Sequence, residues 1–114
     1  MRREAEEQIY ARLMEARIRL ENTKTFTKMA KGCPIFTERF ALVDTPQEYY
    51  TIMSFIDLIE FLYRLNKTEM INAEVWSRWK VLSGTIMTIP KFKKVWEKTT
   101  DIRNTEFRYF IDSL

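Results

Sequence analysis

Two carboxylates and an arginine, Asp57, Glu60 and Arg64, share one side of a strongly apolar stretch, YYTIMSFIDLIEFLYRL, at residues 49–65. Carboxylates one helical turn apart could bind a divalent metal through oxygen ligands, or divide acid and base roles between them. Glu60 and Arg64 also stand four residues apart with the acid first, the favourable order for a surface ion pair. A narrow solvated strip predicts the same three residues and is the preferred reading, so no catalytic residue, metal or cofactor is expected. The chain has no histidine, which removes the commonest general base and metal ligand. Its one cysteine, Cys33, precedes Pro34 and so falls at a helix N-terminus, where the dipole can activate a thiol. With no second cysteine to resolve it, a half-buried, unreactive side chain is expected. Gly32 and Gly84 stand apart and form no phosphate-binding loop.

Two surfaces are better candidates. Lys91, Lys94 and Lys98 fall on one helical face, with Lys93 nearby and Phe92, Val95 and Trp96 mostly opposite. Lysines in a first helical turn oppose the helix dipole, and a broken local rule points to function. Such a face would contact phosphates without reading sequence, and Arg103 and Arg108 would extend it. This is the alternative reading, a nucleic-acid-binding accessory protein. The other surface lies on the first helix. Ala5, Ile9, Leu13, Ala16 and Leu20 make one apolar stripe, and Tyr10, Met14 and Ile18 make a second row, separated from it by Arg17. Two rows need two things to pack against. The leading expectation is therefore a non-catalytic protein–protein interaction module or small regulatory protein. Tyr10, Met14 and Ile18 would be its partner-binding row, for another protein or for a second copy in a homodimer.

The elements that position these residues are helical. With 114 residues the chain forms one domain, expected over 1–114, and can bury a real core. It is 46% apolar, with 8 Phe, 5 Tyr and 3 Trp, but only 2 Gly and 3 Pro, too few turn residues for a sheet protein. The expected class is all-α, a compact helical bundle of four main helices and two short ones around a central apolar helix at 46–65. Thr45, Pro46 and Glu48 start that helix with a capping box. The first helix runs from about Arg3 to Asn22, bends near Asn22–Thr25, resumes through Phe26, Met29 and Ala30, and stops at Gly32 in a left-handed conformation. A short helix follows over Ile35–Val43. Asn72 caps a fourth helix to about Ile89, with Val75, Trp79, Leu82, Ile86 and Ile89 as its inward stripe and Trp76 and Met87 widening it. Pro90 opens a short helix to Lys98, and a final helix carries Phe107, Phe110, Ile111 and Leu114.

The net charge of +3 and a pI of about 9.1 permit an acidic partner without demanding one. The charge is uneven: residues 1–31 carry 8 basic and 5 acidic side chains, residues 32–66 carry 2 and 5, and residues 67–114 carry 9 and 6. Basic flanks therefore have an acidic middle to pair with inside the fold. One cysteine excludes a disulfide framework. No 20-residue apolar span occurs, because Asp57 and Glu60 interrupt the best one, and MRREAEEQIY has no signal-peptide core. A soluble, cytoplasmic chain is expected, with no membrane partner.

From about residue 45 onward the order of features resembles the soluble helical domain of an uncharacterised prokaryotic family. The resemblance rests on the apolar helix IMSFIDLIEFLYRL, a short acidic joint, the Ile-Asn-x-Glu-Val start at Ile71–Val75, a late tryptophan helix and the closing EFRYFIDSL. Members usually carry membrane spans before this domain. The resemblance implies no activity and carries over no functional residue.

Overall fold

The computed structural model describes residues 2–21 and 24–114, with side chains at 8–19 and 24–114. It is all-α, as the composition requires. Among the described residues seven α-helices follow in order: α1 (Arg2–Glu21), α2 (Lys24–Ala30), α3 (Pro34–Phe40), α4 (Pro46–Lys67), α5 (Ala73–Ile86), α6 (Pro90–Thr99) and α7 (Thr105–Asp112), with a 3-10 turn at Thr100–Ile102. The helix count exceeds expectation because the continuation of the first helix is a separate element, α2. The break expected at Asn22 and Thr23, and the Ala5 and Leu20 side chains, lie outside the described residues.

Local chemistry sets most boundaries. The Thr45 hydroxyl accepts the Glu48 N–H at 3.2 Å, while the Glu48 carboxylate reaches one residue further back than expected, to the Asp44 N–H at 2.9 Å. Asn72 and Asn104 cap α5 and α7, accepting from the Glu74 and Glu106 N–H groups at 2.8 and 2.9 Å. α5 stops at Ile86 rather than Ile89 because Pro90 holds Ile89 extended (φ −66°, ψ 123°). Gly32 does not adopt the expected left-handed conformation. Instead α2 closes through 3-10-type bonds from Gly32 N to Met29 O and from Cys33 N to Ala30 O.

The left-handed position belongs to Glu69, at φ 57°. Bonds from Met70 N to Leu65 O (2.8 Å) and from Glu69 N to Asn66 O (3.1 Å) form a Schellman ending to α4. A side chain bearing Cβ is strained there, and glycine is not. Glu69→Gly should therefore raise the unfolding free energy by about 0.5–1 kcal/mol, the relieved strain exceeding the added freedom of the unfolded chain. Urea denaturation reads this as a higher midpoint with an unchanged slope.

The helices group into two compact units that divide between Asp57 and Leu58, so α4 contributes to both. In the first, Tyr49 and Tyr50 are 1% exposed and meet Phe26, Phe36 and Phe40 with ring centroids 5.6–6.4 Å apart. Most of these pairs are edge-to-face, the arrangement that ring quadrupoles favour. The Tyr50 hydroxyl and Thr27 Oγ1 share a buried hydrogen bond of 2.9 Å, and Arg39 donates to the Tyr49 hydroxyl at 3.1 Å. In the second unit Tyr63 stacks on Phe110 at 4.9 Å and touches Trp76 and Phe107, while Trp96 meets Phe107 edge-on at 5.8 Å. Lys67 closes one margin of this unit. Its ammonium lies 2.8 Å from Glu106, and that bond is the first cause of its raised pKa.

The polar strip of α4 differs from expectation. Asp57 is buried and ion-paired to Arg17 of α1, within the first unit. In the second, Glu60 accepts from Arg103 at 3.1 Å, with the two side chains 15% and 4% exposed. The acidic middle draws these two partners from the basic flanks. Arg64 alone of the three is exposed.

The stripe expected to bury α5 is turned partly outward: Val75, Leu82 and Ile89 are each about two-fifths exposed. The buried positions are Ser83 and Met87. Ser83 fits an apolar setting because its hydroxyl donates to Trp79 O at 2.7 Å.

Candidate functional site

α1 is 20 residues long and has apolar side chains on two sides. A helix of this kind turns one row inward, and the row it chooses depends on the rest of the chain. Tyr10, Met14 and Ile18, expected to meet a partner, are half-buried. Arg17 lies beside that row, and its pairing with buried Asp57 turns that side inward. The accessible row is the other one: Ile9 is 58% and Leu13 64% exposed, and Ala16 is exposed. Ile9, Leu13 and Ala16 thus form the more exposed apolar row of α1. Arg17 lies between the two rows in the sequence, and only its pairing with Asp57 in the fold distinguishes them.

On α6, Lys94 and Lys98 are exposed and Lys91 is half-buried, and the first turn holds no acid. The expected extension fails at Arg103, which is buried and committed to Glu60. Arg108 is half-buried on α7. The lysine face therefore does not continue through Arg103, and on α6 itself Phe92, Val95 and Trp96 point away from solvent to different degrees, with Val95 fully buried. Of the apolar side chains next to these lysines, Val95 and Trp96 belong to the buried core and Phe92 is half-buried.

The remaining candidates are Asp57, Glu60 and Cys33. Asp57 is paired with Arg17 and Glu60 with Arg103, each within its own unit. Among the described residues no group of three or more His, Cys, Asp and Glu side chains is placed to hold a metal ion. Cys33 is half-buried at the N-cap of the seven-residue α3 and makes no side-chain capping bond. No described helix is long and apolar enough to cross a membrane. No family model, curated protein or solved structure matches the chain.

Proposed function

We propose that this chain is a non-catalytic protein–protein interaction module that self-associates through the outward row of α1. The observation that carries this reading is the exposure of Ile9 and Leu13, each more than half open to solvent on one face of a long helix. Burying such side chains is worth about 1.5–3 kcal/mol apiece, and an apolar helix row in water is a site waiting for a partner. A second copy suits it. In a two-fold antiparallel pair, with the axis beside Leu13, Ile9 of one copy faces Ala16 of the other and the two Leu13 side chains meet. Large then packs against small, as ridge-and-groove contact between helices requires, and the same patch serves both copies. The engagement of Asp57 and Glu60 by arginines supports the non-catalytic part of the reading.

Light-scattering mass tests this. The expected result is a mass of two chains of 13.8 kDa for the parent and of one for Leu13→Glu, with the helical signal unchanged because Leu13 is outside the core. A parent that runs as one chain, or a variant that keeps the dimer mass, overturns the reading. A second reading, a nucleic-acid-binding accessory protein, is favoured by the exposed Lys94 and Lys98 in a helix whose first turn lacks an acid. Adding a short duplex to the same samples separates the two. Complex formation at low salt and its loss at high salt would favour the lysine face.

A further inference from the structure

The second unit holds an open groove of about 500 Å³ between α6, α7 and the end of α5. We propose that it binds a small organic monoanion with an apolar body, the acid group held by Lys93 and Arg108. The volume falls within the range of about 300–1,000 Å³ typical of small-molecule sites. Its floor is apolar and fixed. Met87, Trp96 and Ile111 line it and are 7%, 4% and 5% exposed. The Trp96 indole N–H donates to Asp112 at 3.0 Å, which locks the ring that an apolar body would lie on. Lys93 comes from α6 and Arg108 from α7, and among the described residues neither has an ion-pair partner.

The charge of the ligand follows from the other two walls. Glu97 and Asp112 also line the groove, so the four ionised side chains sum to zero. A dianion such as phosphate meets repulsion from both acids without an apolar body to compensate. A singly charged carboxylate can sit between the cations and gain the apolar floor as well. The ligand class is thus an aliphatic or aromatic monocarboxylate.

Octanoate is a suitable probe, with octanamide as its neutral counterpart and inorganic phosphate as the bare anion. The Trp96 indole N–H resonance reports the floor directly, and Trp76 and Trp79, which do not line the groove, serve as internal controls. The expected result is a saturable shift of the Trp96 resonance with octanoate, at least tenfold tighter than with octanamide. Lys93→Met with Arg108→Met should reduce octanoate to the affinity of the amide and leave octanamide binding unchanged. Should the double variant fail to fold, Lys93→Glu alters an exposed side chain and should weaken octanoate in the same direction. Equal binding of acid and amide, insensitivity to both variants, or a phosphate shift as strong as that of octanoate would each overturn the proposal.

Discussion

Arg103→Met should lower the unfolding free energy by about 3 kcal/mol, because it leaves the Glu60 carboxylate indoors without its partner. The side chains concerned are 4% and 15% exposed and their bond is 3.1 Å, so solvent can restore little of what is lost. The companion variant gives the expectation its specificity. Replacing both residues, Arg103→Met with Glu60→Leu, should return most of the stability, since a buried ion pair and a well-packed apolar pair of similar volume differ little. Urea denaturation of the parent, the two single variants and the double variant closes the cycle. A single variant within about 0.5 kcal/mol of the parent, the range of an ordinary surface change, would mean that the pair is far wetter than its geometry indicates.

Tyr50→Ala should cost about 4 kcal/mol, at the upper end of what single substitutions do. Tyr50 is 1% exposed and its ring meets Phe26, Phe40 and Tyr49. Removing the ring leaves a cavity that three other aromatic rings can only partly fill. The hydroxyl is a separate contribution. Tyr50→Phe should cost about 1–2 kcal/mol by leaving buried Thr27 without its 2.9 Å partner, and adding Thr27→Val should recover much of it. Chemical denaturation checks all three. If Tyr50→Ala and Tyr50→Phe lost the same amount, the hydrogen bond rather than the ring packing would dominate this core.

The two variants probe different kinds of information in the sequence. The aromatic core and the helix boundaries were largely legible, because they depend on neighbours in the chain. Thr45 and Glu48 start α4, Asn72 starts α5, and Pro34, Pro46 and Pro90 open α3, α4 and α6. The orientation of a helix is a different matter. Periodicity shows that α1 has two apolar rows, but the choice between them is made by Asp57, 40 positions beyond Arg17 in the sequence. Arg103 is comparable. Its neighbours suggested an extension of the lysine face, and only the fold brings it to Glu60. On α5 the regular stripe through Val75, Leu82 and Ile89 was read as the buried one, whereas the buried positions are Met87, read as widening that stripe, and Ser83, which was not on it. A serine that satisfies its own hydroxyl on the preceding turn can enter a core unannounced. Uneven charge along the chain was the better guide to tertiary contacts. The acidic middle takes one arginine from each basic flank.

The outward row of α1 is proposed as an interface between two copies. Cysteine cross-linking tests that most directly. In a Cys33→Ser background, Leu13→Cys places a thiol beside the proposed two-fold axis. Ile35→Cys on α3 places one at a site of similar exposure, 57% against 64%. Under mild oxidation Leu13→Cys should form a disulfide-linked dimer well ahead of Ile35→Cys, since only the former thiols are held together before they react. Equal, slow cross-linking at both positions would mean that the two thiols meet only by chance collision, and would contradict self-association through α1.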